Sequence, residues 1–152
     1  LKVRHECVVI LPARTGASRF PSFVVFQSQN QISSDSLGFL YLAESEQPFT
    51  HHPFFLSSPD EDDQYFNIPS ERRKAFLEMF DDHGVEAIFS GHYHRNSYGK
   101  YNDIKMITTG PVGKPLGDDP SGFRIVRVYP DSMRHSYYGL DEVPDEVNVD
   151  EE

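Results

Sequence analysis

Residues Ser70–His94 read SERRKAFLEMFDDHGVEAIFSGHYH, and the fold turns on this stretch. Phe76, Leu77 and Phe80 fall at i, i+1 and i+4, an apolar stripe of helical period, while Arg72, Arg73, Lys74 and Glu78 occupy positions that water can solvate. Ser70 is placed to cap the N-terminus, Glu71 stands in the first turn, and Gly84 can take the left-handed position just past the end. The spacing predicts a helix. VEAIFS follows, apolar and too short for a second helix, and it stops at Gly91 with the signature of a strand. Two histidines, His92 and His94, come immediately after it.

Upstream, HHPFFLSSPDEDDQYFNIPS opens on His51 and His52 and runs through a long acidic loop into the helix. A short apolar approach to His51, then a helix, then VEAIFS implies a βαβ crossover with parallel strands. Downstream, IKMITTG (Ile104–Gly110), FRIVRVY (Phe123–Tyr129) and MRHSYY (Met133–Tyr138) read as further strands. YPDS between the last two is a turn and predicts an antiparallel hairpin. The class is α/β with an antiparallel portion. Residues 1–48 are different in character: poor in charge, punctuated by proline and glycine, and holding three apolar runs, CVVIL, FVVFQ and LGFLYLA. Each could be a strand, yet none precedes an amphipathic helix that could cover it.

A chain of 152 residues bounds the molecule to one domain at most. Its net charge of −10 is uneven: the last twelve residues, 141–152, carry seven acidic side chains and no basic one, leaving −3 for the rest. That end is expected to be a solvated, disordered tail. No basic stripe exists to neutralise phosphates, so a nucleic-acid partner is not expected. No apolar run is long enough to span a bilayer, and the N-terminus does not read as a signal peptide, so a cytoplasmic monomer without membrane attachment is the expectation. The single cysteine, Cys7, excludes an internal disulfide and suits a reducing compartment.

The histidines carry the chemistry. In an open α/β sheet, binding groups collect where the carboxyl ends of strands leave the layer. His51 follows one strand, His92 and His94 follow the next, and the crossover helix makes those ends neighbours. Neutral imidazole is the commonest metal-ligating side chain. In extended backbone the H-x-H spacing aims both rings at one place; in a turn they diverge and could serve two metals. Gly91 permits close backbone approach or a positive φ. An H-x-H pair and a histidine doublet also occur in loops that bind nothing.

SGHYH resembles the G-H-x-H motif of the calcineurin-like metallophosphoesterases, and HHPFF resembles their H-x-P motif, with His51 in the ligand place and Pro53 as the proline. Residues from Phe49 to Pro144, including YYGLDEVP, are similar to the animal serine/threonine phosphatases that carry this domain. The resemblance implies an α/β sandwich of two mixed sheets around a dinuclear centre of Mn, Fe or Zn. It implies that His51 and His92 ligate one metal and His94 the other, and that a metal-activated hydroxide attacks phosphorus in a phosphoprotein or a small phosphate ester. His52 would face the pocket as a candidate acid.

The same family motif calls for D-x-H, G-D-x-x-D and G-N-H-D/E upstream. Asp81-Asp82-His83 spells D-x-H, but at a helix end and after His51. Gly117-Asp118 begins a G-D, yet Ser121 stands where the second aspartate belongs, and no asparagine precedes a histidine. RHECVVI (Arg4–Ile10) resembles the strand that leads directly into the H-x-P histidine, but residues 12–48 intervene. The chain is therefore expected to be an atypical segment over 1–48, the C-terminal part of the phosphoesterase domain over 49–140, and the acidic tail. It would be an incomplete sandwich and a phosphatase fragment lacking the N-terminal ligands. The other reading is a non-catalytic truncated module that binds a partner or a single metal ion. Asn96 reads as a turn residue, and GPVGKPLGDDPSG (Gly110–Gly122) as an ordinary connection.

Overall fold

The computed structural model describes residues 5–12, 23–28, 40–41, 47–129 and 132–146. They form a mixed α/β structure with nine strands in two sheets and one helix. The strands are β1 (His5–Pro12), β2 (Phe23–Ser28), β3 (Leu40–Tyr41), β4 (Pro48–Thr50), β5 (Ala87–Ser90), β6 (Ser97–Tyr101), β7 (Ile104–Thr108), β8 (Gly122–Val128) and β9 (Met133–Gly139). The helix α1 spans Ser70–Asp82.

One sheet runs β3-β4-β5-β7-β6, with β4, β5 and β7 parallel and the two edge strands antiparallel. The βαβ unit is β4-α1-β5, as the sequence implied. The other sheet runs β2-β1-β8-β9, and β8 and β9 form the expected hairpin, pairing Gly122 with Gly139 through Val128 with Met133. β1 lies in this second sheet, parallel to β8 and antiparallel to β2. It is therefore not the strand that delivers His51; Pro48–Thr50 is.

Alternation within β5 shows how the layers stack. Ile88 faces a cluster with Phe54, Phe55, Leu77, Phe80, Ile104 and Met106. Its neighbours Ala87 and Phe89 face the opposite cluster, with Phe49, Ile107 and Val126, against which Val128 and Met133 pack. A strand buried on both faces reads as a continuous apolar run because its period of two sends side chains to two cores. α1 and the residues after His52 cover one face, and the β8–β9 hairpin covers the other.

The helix departs from expectation at its start. Pro69 occupies the cap position, Ser70 is the first helical residue, and no side chain caps from that position. Instead the Ser70 N–H donates to the Asp63 carboxylate at 2.7 Å, which brings an anion to the positive end of the helix. The C-terminus follows the sequence. Gly84 has φ of 70°, its N–H reaches Asp81 O at 3.0 Å, and Val85 N–H reaches Phe80 O at 3.0 Å. That is a Schellman closure, with Val85 and Phe80 in the same apolar cluster.

Arg73 is the largest correction. It is 1% exposed, not solvated. Its Nε donates to Ile68 O at 3.1 Å and its Nη1 to Pro59 O and Glu61 O, both at 2.8 Å. The long acidic loop is thereby wrapped around a buried cation. Glu61 ties it from the other side, accepting from the N–H groups of Leu56, Ser57 and Ser58 at 2.8, 2.9 and 3.3 Å. Of the acidic tail, residues 141–146 are described, and Glu142 N–H turns back to Gly139 O at 2.9 Å; residues 147–152 lie outside the described residues, as does most of 1–46.

Candidate metal centre

The parallel pair β4 and β5 ends at Thr50 and Ser90, which are register partners. Their two exits are tied together: Gly91 N–H donates to His51 O at 3.1 Å, and Thr50 Oγ1–H donates to His52 O at 2.8 Å. His51 and His92 are forced together as a result. His51 Nε2 and His92 Nδ1 are 3.0 Å apart. His52 joins them, its ring centroid 3.8 Å from that of His92 and 4.9 Å from that of His51. One ligand atom from each of these three rings lies within 4.8 Å of the others.

The G-H-x-H segment is a turn, not an extended strand. His92 and His94 take φ of 62° and 57°, the left-handed region, while Gly91 does not. The unusual backbone thus falls on the histidines themselves. Left-handed backbone is uncommon outside glycine, and it persists where the surroundings over-determine it. The turn divides the two imidazoles. His92 points into the cluster, whereas His94 is buried beside it with its Nδ1–H donating to Lys114 O at 3.1 Å. His94 still stands close enough for its charge to act on both His51 and His92.

Burial sets the protonation of the cluster. Desolvation first, then the neighbouring His52, His92 and His94, push His51 down to about 4. Desolvation and His92 hold His52 at about 4 as well. Desolvation also lowers His92, opposed by the hydrogen bond to Tyr65 O. At neutral pH these rings are uncharged and carry the lone pairs that a transition metal needs. A neutral His52 is better suited to ligation or N–H donation than to the role of a cationic acid.

The donor set fits a metal. Imidazole nitrogens suit Zn, Fe and related ions, and the three converge from rigid strand ends. Among the described residues no carboxylate joins the three histidines, so this set holds one cation more readily than a closely spaced pair.

The surroundings are built to fix these rings. The loop Gly110–Gly122, expected to be an ordinary connection, holds the histidine turn: Leu116 N–H donates to His94 O at 2.9 Å and Arg95 Nε to Leu116 O at 2.7 Å. Asn96 is more than a turn residue. Its N–H donates to Asp119 Oδ2 at 2.5 Å, and its Oδ1 accepts from Gly110 N–H and from Arg124 Nη2 at 3.2 and 2.8 Å. Arg124 is buried and also reaches Thr109 Oγ1 at 3.1 Å and His135 Nδ1 at 2.9 Å. Desolvation, Arg124 and Lys105 lower His135 to about 4, so it accepts there as the neutral ring. Sequence reading found neither Arg124 nor His135, because nothing local distinguishes a strand arginine that spans two loops. A groove of about 660 Å³, lined by Tyr93, Arg95, Tyr98 and Asp118 among others, runs beside the turn. No helix among the described residues is long and apolar enough to cross a membrane.

Comparison with known proteins points the same way. The chain is 45% identical over 95 residues to the serine/threonine-protein phosphatase CPPED1 of Bos taurus, covering 62% of this chain and 30% of that protein. It is 46% identical over 96 residues to the protein of that name in Homo sapiens, covering 62% and 31%. In Danio rerio the figures are 42% over 104 residues, 68% and 33%. The chain spans about a third of the length of these relatives. No family model matches it, and no solved structure matches it significantly. Together with the mixed α/β fold, these likenesses make the C-terminal part of the chain similar to proteins named serine/threonine-protein phosphatase CPPED1.

Proposed function

We propose that this chain carries the C-terminal half of the metal site of a phosphomonoesterase that acts on phosphoserine and phosphothreonine in proteins. The observation that carries the reading is the convergence of His51, His52 and His92 at the ends of two parallel strands, with ligand atoms within 4.8 Å of one another. His51 and His92 are assigned as ligands of one metal and His94, through its Nε2, as a ligand toward a second. His52 is assigned to the pocket wall, where its N–H can meet a phosphate oxygen. A bound Mn, Fe or Zn would supply positive charge for the phosphate and for a nucleophilic water. The residues supply placement: strand ends that cannot drift, rings kept neutral by burial, and a turn that separates His92 from His94.

The second reading, a non-catalytic module holding a single metal, is favoured by the lack of a carboxylate in the cluster among the described residues. One experiment separates the two and tests both. Titration calorimetry with zinc or manganese on the 152-residue chain should show one transition metal bound, weakened far more by His92→Ala, which removes a member of the three-histidine cluster, than by His83→Ala. His83 is exposed at the helix end, its Nδ1–H donating to Met79 O at 2.8 Å. Equal affinities for the two variants sink the site. Hydrolysis of para-nitrophenyl phosphate by the same preparation with manganese should be barely detectable. Robust turnover abolished by His92→Ala would reject the single-metal module.

A further inference from the structure

We propose that the loop between His52 and α1 is a tautomer clamp for His92, with Glu61 and Asn67 as its positioning residues. His92 Nε2 lies 3.3 Å from the backbone carbonyl of Tyr65. A carbonyl oxygen only accepts, so Nε2 must carry the proton and the neutral ring keeps its lone pair on Nδ1. Nδ1 is the atom that faces His51 Nε2 at 3.0 Å, inside the three-histidine cluster. His51 Nε2 then donates to it in the metal-free protein. To ligate through Nε2, His51 would have to carry its proton on Nδ1, whereas His92 already presents its Nδ1 lone pair. In metal sites the group that holds the distal imidazole N–H fixes ring orientation and tautomer.

The Tyr65 ring lies against the His92 ring, centroids 5.2 Å apart, but with the residue 78% exposed that contact alone does not fix the backbone carbonyl. The clamp does. Asn67, 5% exposed, uses its oxygen and both amide hydrogens on this loop. Its Oδ1 accepts from Gln64 N–H at 2.9 Å, and its Nδ2 donates to Glu61 Oε1 at 2.7 Å and to Asp62 O at 3.0 Å. Tyr65 therefore sits at the tip of a ring closed by one amide. Glu61 anchors that ring to Leu56, Ser57 and Ser58, and Ile68 N–H anchors its far end to Pro53 O at 2.9 Å. The loop approaches the cluster with a carbonyl already aimed.

The inference rests on the metal reading for its consequence, but the tautomer can be measured without metal. Long-range proton–nitrogen correlation of the imidazoles in the metal-free 152-residue chain should show His92 protonated at Nε2. Tyr65→Ala keeps the carbonyl and should leave that signature unchanged. Asn67→Ala opens the ring and should give His92 signals of both tautomers, with cobalt affinity reduced roughly 10- to 100-fold. Wild-type His92 protonated at Nδ1 overturns the clamp even if Asn67→Ala fails to fold. A folded Asn67→Ala chain with the wild-type tautomer and wild-type cobalt affinity overturns it as well. Absence of cobalt binding by the wild type would instead reject the metal reading, while the metal-free spectra still decide the clamp.

Discussion

Replacing Arg73 by Met should destabilise the fold by about 2–4 kcal/mol, far more than the neighbouring Arg72→Met. Arg73 makes three hydrogen bonds to backbone carbonyls, at 3.1, 2.8 and 2.8 Å, plus a looser contact of 3.6 Å with the half-exposed Asp63. Hydrogen bonds from a charged donor contribute about 1.5–3 kcal/mol each, which gives a gross figure of about 5–9 kcal/mol. Burying a guanidinium costs several kcal/mol of hydration, and that cost disappears with the charge. Methionine keeps most of the stem's packing, so the net is the difference. The Pro59 and Glu61 carbonyls lie near the surface and can recover water, which places the result nearer the lower end. Urea unfolding at constant m-value is the assay, with Arg72→Met, an exposed position, as the control. If both variants shift the midpoint equally, Arg73 is not the centre of the loop and the reasoning fails.

Two further outcomes follow from local chemistry. Burial raises the Glu61 carboxyl, but hydrogen bonds from Asn67 and from the N–H groups of Ser57, Leu56 and Ser58 outweigh it and hold the group at about 2. Its contribution is complete above the ordinary value of 4.5 and is lost as pH falls toward 2, so the stability gap between wild type and Glu61→Gln should be constant above that value and close below it; after allowance for solvent screening it should amount to about 1–2 kcal/mol, read by urea unfolding at stepped pH. Gly84→Ala should cost about 1–2 kcal/mol, from φ alone, because no atom lies within 4 Å of the added Cβ. Gly113→Ala, equally uncrowded and without a positive φ, should be silent in a thermal melt that registers the Gly84→Ala loss.

What the sequence made legible was what short-range periodicity and punctuation encode. The stripe Phe76, Leu77 and Phe80 with Gly84 behind it located α1, and an apolar run bounded by Gly91 located β5. The YPDS turn located the β8–β9 hairpin. β6 escaped because SYGKY carries no apolar alternation: it is an edge strand whose buried member is Gly99, where a Cβ would lie 2.6 Å from Phe55. Arg73 was read as solvated because its neighbours in sequence are charged, while its partners lie up to fourteen residues upstream. The histidines stood out by spacing, but the left-handed turn that parts His94 from His92 depends on contacts with Lys114 and Leu116, far along the chain. Local pattern finds elements; the groups that aim a site come from elsewhere in the sequence.

The central claim is that imidazoles at the ends of β4 and β5 hold a transition metal. X-ray absorption at the zinc edge, on the 152-residue chain loaded with one equivalent, tests it most directly. The account predicts a first shell containing at least two imidazole nitrogens, those of His51 and His92, at roughly 2.0–2.1 Å, with the outer-shell scattering of imidazole rings. His92→Ala should reduce that imidazole contribution. A first shell of oxygens alone, without imidazole scattering and unchanged by His92→Ala, would contradict it.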